Sequence, residues 1–260
     1  MSFRTRLFVI LWIAGLAGIL SFLLIDLSAL LAYLPVTSGA KTPFPLPVLK
    51  LLSIIQSTIL LSVAVLVGVS LASRVGLLAP ATEAAARGGN FGAALKPQIV
   101  PGLAGGVLGG IVIILSWVLW KPFLPPEFVT RAEQLNKFLP FPTRLLYGGV
   151  TEELLLRWGV MTLLVWAAWR LLQKGQGKPR DSYFVGAILL SSVIFGLGHL
   201  PVASLLATKI TVSSIFYVTV ANSTFGLIAG YLYWKKGLES AIIAHMVAHV
   251  VIVTAIYLGT

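Results

Sequence analysis

The sequence predicts an all-α membrane protein, a polytopic bundle of about seven or eight transmembrane helices. Three observations predict it: 58% of the 260 residues are hydrophobic, only 10% are charged, and the mean hydropathy is +0.96. A soluble domain of this length carries roughly 25% charged residues. The chain has no cysteine, so neither a disulfide framework nor a thiolate metal site is available.

A bilayer core about 30 Å thick is crossed by about 20 apolar helical residues. Segments 7–31, 48–72, 101–120, 145–172, 183–200, 212–234 and 240–258 meet that requirement, and an eighth short helix is expected near 201–207. The first follows "MSFRTR", which resembles the start of a signal peptide, but the apolar run is long and lacks a clean small-x-small cleavage site. It is expected to be an uncleaved anchor. Polar connections at 73–100 and 121–143 are broken by Gly or Pro and are expected to be loops; within the second, "KPFLPPEF" and "KFLPFP" are stiff turns expected to sit at the membrane surface or to re-enter it. In "PGLAGGVLGGIV", Gly102, Gly106 and Gly110 are four apart and allow close approach of a neighbouring helix.

The net charge of +11 does not mark a nucleic-acid surface, because the basic residues lie scattered between apolar runs. Placing the N-terminus in the cytoplasm puts 11 basic residues on that side. The opposite side receives seven: Lys41, Lys50, Lys121, Arg131, Lys137, Arg144 and Lys209. Membrane lipids are the expected surroundings, and a cell inner or plasma membrane the expected location. No internal repeat is visible, which argues against an inverted-repeat transporter.

Charged residues inside spans cost about 2.5–3.5 kcal/mol at mid-membrane and usually face a cavity with partners. "TEELLLRWG", residues 151–159, places Glu153 and Arg157 four apart in the favourable order. Glu152 points about 100° away around the helix and is free of that pair. The fifth segment ends in "IFGLGHL", where Phe195 and His199 share a face, and the seventh carries "AHMVAH", with His245 and His249. These are all three histidines of the chain. Taken singly, each reads as a helix-to-helix contact; taken together, on three spans, they point to one polar site. Asn222, Ser223 and Thr224 in the sixth segment either line the same cavity or bond between helices.

A carboxylate shielded from bulk water acts as a general base on a water molecule, and imidazoles beside it orient that water or donate to an oxyanion. The reaction class is hydrolysis within an intramembrane catalytic cavity, with Glu152 as the candidate base. This glutamate mechanism needs no cofactor, and the sequence assigns none with certainty. Zn²⁺ or another divalent metal is a second possibility, with His199, His245 and His249 as candidate ligands. Against it, His245-x-x-x-His249 lacks the Glu of the zinc-protease helix motif.

"EELLLR", "FGLGH" and "GLESAIIAHMVAH" resemble, in that order, the E-E-x-x-x-R, F-x-x-x-H and H-x-x-x-N motifs of the CPBP family. That family comprises the type II CAAX prenyl endopeptidases and the bacterial Abi or bacteriocin-immunity relatives. The resemblance covers about residues 140–258, so 1–139 read as N-terminal spans and 140–260 as a catalytic core. It implies that Glu152 activates water and that His199 and His245 complete the site, with Glu153 and Arg157 in support. It also implies a peptide or prenylated-protein substrate. His249 stands where the family usually has Asn, and Trp158 precedes Gly159 where many members have Gly directly after the arginine.

Seven simple spans leave a geometric conflict. Glu152 and His199 fall toward one membrane face, whereas His245 falls about 9 Å from the other at 1.5 Å per residue. A tilted seventh helix, a re-entrant segment at 201–209, or a fourth span beginning at Pro142 would bring them together. Two other functions compete: a proton-coupled transporter in which these groups relay protons, and a non-catalytic scaffold or immunity-type protein.

Overall fold

The computed structural model describes residues 1–34 and 44–259; Lys41, assigned above to the far face, lies outside them. Among the described residues, seven helices are long and apolar enough to cross a membrane: Phe3–Leu24, Leu46–Val75, Phe91–Phe123, Phe141–Leu172, Asp181–Ser204, Val212–Lys235 and Leu238–Leu258. The protein is an integral multi-pass helical bundle.

The first predicted span divides in two. Helix α1 (Phe3–Leu20) is capped by Ser2, runs into a tight turn at Ser21–Leu24, and gives way to a short α2 (Leu27–Tyr33). Asp26 forces the break, because its carboxylate accepts from Ala29 N at 3.1 Å and from Ser28 Oγ, as an N-cap does. The same hydrogen bonds hold the Asp26 carboxyl below the usual carboxylate range.

Helix α3 (Leu46–Val75) returns across the bilayer. The connection expected as a loop at 73–100 instead contains α4 (Pro80–Ala86). Helix α5 (Phe91–Trp120) starts ten residues before the predicted Pro101, because Asn90 caps it by accepting from Ala93 N at 2.9 Å. Pro97 and Pro101 lie inside it, and each removes one hydrogen bond to the carbonyl four residues earlier. Transmembrane helices tolerate that loss when neighbouring helices pack against the freed groups.

The loop expected at 121–143 holds the amphipathic helix α6 (Pro126–Phe138). It packs through Phe128 on an apolar cluster with Leu124, Ala203, Leu206 and Val218. Three polar ties fix it: Lys121 to Glu133 at 2.6 Å, Arg131 to the Tyr33 carbonyl, and Glu127 accepting from Thr208 N and Oγ1.

Helix α7 (Phe141–Leu172) is the fourth span, wound as π-helix over Arg144–Glu152 and Leu154–Met161. Helix α8 (Asp181–Gly198) leads to a five-residue α9 (Leu200–Ser204), too short to cross, where an eighth helix was expected. Helices α10 (Val212–Lys235) and α11 (Leu238–Leu258) complete the bundle. Gly237 joins them at φ 125°, and a side chain there would strike Pro80.

The predicted glycine face is an interface with α11. A methyl on Gly102, Gly106 or Gly110 would collide with Ile243, Val247 and Val251 respectively, so the ridge of α11 lies in a groove that only glycine leaves open. On α7, Thr151 Oγ1 donates to the Gly15 carbonyl of α1 at 2.8 Å, and Thr143 Oγ1 to the Ser21 carbonyl at 3.0 Å. These ties fix the helix that carries both glutamates.

Candidate active site

Within α7, Glu153 and Arg157 are completely buried, with Arg157 Nε 3.2 Å from Glu153 Oε2. The approach is an ion pair without hydrogen-bond alignment, as both atoms lack a hydrogen-bond partner. Arg157 Nη2 donates to the Gly226 carbonyl of α10 at 3.0 Å, and its guanidinium sits 5.0 Å from the centre of the Phe195 ring. A charge this deep needs such partners to offset its lost hydration.

The second oxygen of Glu153 faces α11, 2.8 Å from His245 Nδ1. A carboxylate paired with arginine only accepts, so His245 Nδ1–H is the donor, and in the neutral ring Nε2 keeps its lone pair. That nitrogen lies 3.9 Å from Glu152 Oε2. His245 therefore stands between the two adjacent glutamates, oriented by one and facing the other. The side chain of Glu152 is 19% exposed and that of Glu153 is 0%, which separates a partly accessible carboxylate from a sealed one.

His199 ends α8 and donates from Nδ1 to the Phe195 carbonyl at 2.8 Å, which directs Nε2 away from its own helix. Phe195 meets both imidazoles edge to face, with ring centres 4.7 Å from His199 and 5.8 Å from His245. The three motif-bearing spans thus converge at one place. The expected depth conflict is relieved by the start of α7 at Phe141, one residue from the predicted Pro142, and by the short α9 that follows His199.

His249 stacks on His245, ring centres 5.0 Å apart and planes 14° apart, and its Nδ1 has no hydrogen-bond partner among the described residues. Gly148 makes room for it, since a methyl there would meet His249 Nε2. Trp158, the departure after Arg157, is buried against α3, where Gly68 leaves space for its indole.

A cavity of about 720 Å³ adjoins the site, with His199 and Asn222 in its wall among apolar side chains such as Trp117, Tyr217 and Val218. Asn222 Nδ2 donates to the Val218 carbonyl at 2.8 Å and Thr224 Oγ1 to that of Val220, so both bond within α10 and not between helices. Glu152 and His245 do not form the cavity wall, contrary to a single chamber lined by every catalytic candidate. Phe195, Phe225 and His249 enclose the His245 ring and account for this.

The Zn²⁺ alternative finds no matching geometry. Among the described residues no three His, Asp or Glu side chains are grouped to hold a metal ion. His245 and His199 are bonded through Nδ1 and keep Nε2, but His249 lies parallel to His245 instead of converging with it.

Sequence reasoning missed Phe225, whose ring lies 4.5 Å from that of His245, and the Gly226 carbonyl that receives Arg157. Neither carries a polar signal. Gly148 and Gly149, just ahead of Glu152, are the readable signal, since they leave room for His249 and Met246.

The buried Glu153–Arg157–His245 cluster lies inside a bundle in which, among the described residues, seven apolar helices are each long enough to cross a membrane. The family model "Type II CAAX prenyl endopeptidase Rce1-like" matches residues 134–251, just under half of the chain, a stretch that includes every candidate side chain above. Over that stretch the chain is similar to this family of endopeptidases. Comparisons with curated proteins and with solved structures give no match.

Proposed function

We propose that the protein is an intramembrane endopeptidase that cleaves membrane-associated or lipidated peptides in a cell inner or plasma membrane, with Glu152 as general base. The observation that carries this is the position of His245, held by Glu153 at Nδ1 and facing Glu152 with Nε2. A water between Glu152 Oε2 and His245 Nε2 donates to both acceptors and directs a lone pair outward. Its oxygen bonds to the peptide carbonyl carbon as Glu152 takes a proton. When the C–N bond breaks, Glu152 returns that proton to the leaving amine. His199 and the second Nδ2 hydrogen of Asn222 adjoin the cavity where the peptide would lie, and the amide hydrogen is a donor for the carbonyl oxygen.

The test is cleavage of a library of membrane-anchored peptides by purified protein in lipid. The expected result is site-specific cleavage by the wild type and a loss of about 10²–10⁴-fold in Glu152→Gln. Equal cleavage by the two proteins would overturn the assignment.

A further inference from the structure

A second cavity, about 570 Å³, lies where the end of α6, the first turn of α7 and the last turns of α11 meet. Arg144 is at its inner end. Its Nε donates to the Leu139 carbonyl at 3.3 Å, and its Nη2 to the carbonyl and Oδ1 of Asn136 at 3.2 and 2.8 Å. Nη1 makes no hydrogen bond among the described residues, and no carboxylate among them lies within ion-pair distance of Arg144. Every partner of Arg144 among the described residues is neutral, so they orient the positive charge without pairing it.

This arginine does not serve its own helix. It sits in the first turn of α7, where the helix dipole disfavours a cation by about 0.3–1 kcal/mol. Lys137 adds a second positive charge at the cavity rim. Glu133, the carboxylate at the cavity, is already engaged by Lys121 at 2.6 Å. The remaining wall is mixed: Phe141, Val250, Val253 and Ile256 are apolar, with Phe141 and Val250 exposed on the outer surface of the bundle, while Thr254 and Tyr257 carry hydroxyls. An anchored guanidinium with a free edge, at the end of an outward-facing apolar groove, matches an amphiphile with an anionic head. The first turn of one span and the last turns of another place it at headgroup depth.

We propose that this cavity binds the phosphodiester headgroup of an anionic phospholipid. Arg144 is the phosphate ligand, Lys137 a second positive charge, and an acyl chain lies along Val250 and Val253. The cavity shares Glu133, Asn136 and Ile256 with the 720 Å³ cavity beside the glutamate–histidine cluster, but lipid binding there does not depend on peptide hydrolysis.

The experiment reconstitutes the full-length protein in phosphatidylcholine nanodiscs containing a minor fraction of phosphatidylglycerol and counts co-purifying lipids by native mass spectrometry. The wild type is expected to retain phosphatidylglycerol preferentially. Arg144→Gln is expected to lower that preference about tenfold, and Lys137→Gln, at an exposed position, about fivefold. Lys178→Gln, in the loop at the opposite face, should leave it unchanged. Absence of preference in the wild type, or wild-type preference in both Arg144→Gln and Lys137→Gln, would overturn the proposal. Displacement of the lipid by inorganic phosphate, or by a peptide acid but not its amide, would reassign the site and overturn it as well.

Discussion

Two adjacent glutamates differ because one helix turn gives them different neighbours. Glu153 faces inward to Arg157 and His245 and is sealed, while Glu152 keeps an opening. The pair should respond oppositely to mutation. Arg157→Met leaves a buried carboxylate without its cation and should lower stability by about 3–5 kcal/mol, read from denaturant unfolding in detergent. Glu152→Gln should stay within about 1 kcal/mol of wild type in the same assay, because its contact with His245 Nε2, at 3.9 Å, is longer than a hydrogen bond. The Glu153–Arg157 pair was legible from spacing alone, since i,i+4 neighbours meet on any regular helix. The contact from Glu153 to His245 was not, because it depends on how α7 and α11 lie against one another.

At the scale of elements, α7 governs the site. Its π-wound stretches flank Glu153, and such windings are frequent where helices carry function. The glycines ahead of the motif let α11 approach, with Gly148 facing His249 and Gly149 facing Met246. Gly148→Ala should cost about 1–3 kcal/mol of stability by overpacking and should also lower cleavage, because His249 stacks on His245. Gly68→Ala should cost a similar amount by displacing Trp158, with less effect on the rate constant in protein that remains folded. Apolar run length located the spans, and it failed where polarity acts over a single turn. Asp26 ended the first span early and Asn90 began the third early, both as N-caps whose residue types were readable. Helix α6 escaped notice because its amphipathic face is buried only by elements distant in sequence.

At the scale of the whole molecule, the site exists because a 32-residue helix carries Glu152 to the depth of His245. The N-terminal spans are part of that construction. They supply the carbonyl that receives Thr151 and the groove that receives Trp158. A fragment limited to 140–260 should therefore not fold alone, while co-expression with 1–139 should restore a stable complex, measured by monodispersity in detergent. Composition alone indicated the seven-span topology, and the conflict between His245 and Glu152 marked where simple topology was insufficient. Helix length at α7 resolved it, a quantity that proline and glycine near 140–149 obscured in the sequence.

The claim that Glu152 and His245 form one unit is tested most directly by the cleavage rates of Glu152→Gln, His245→Ala and the double variant in lipid, on one substrate. Groups acting on the same water lose their effect together, so the double variant should be about as slow as the slower single variant. Losses that multiply, as for independent sites, would contradict the account.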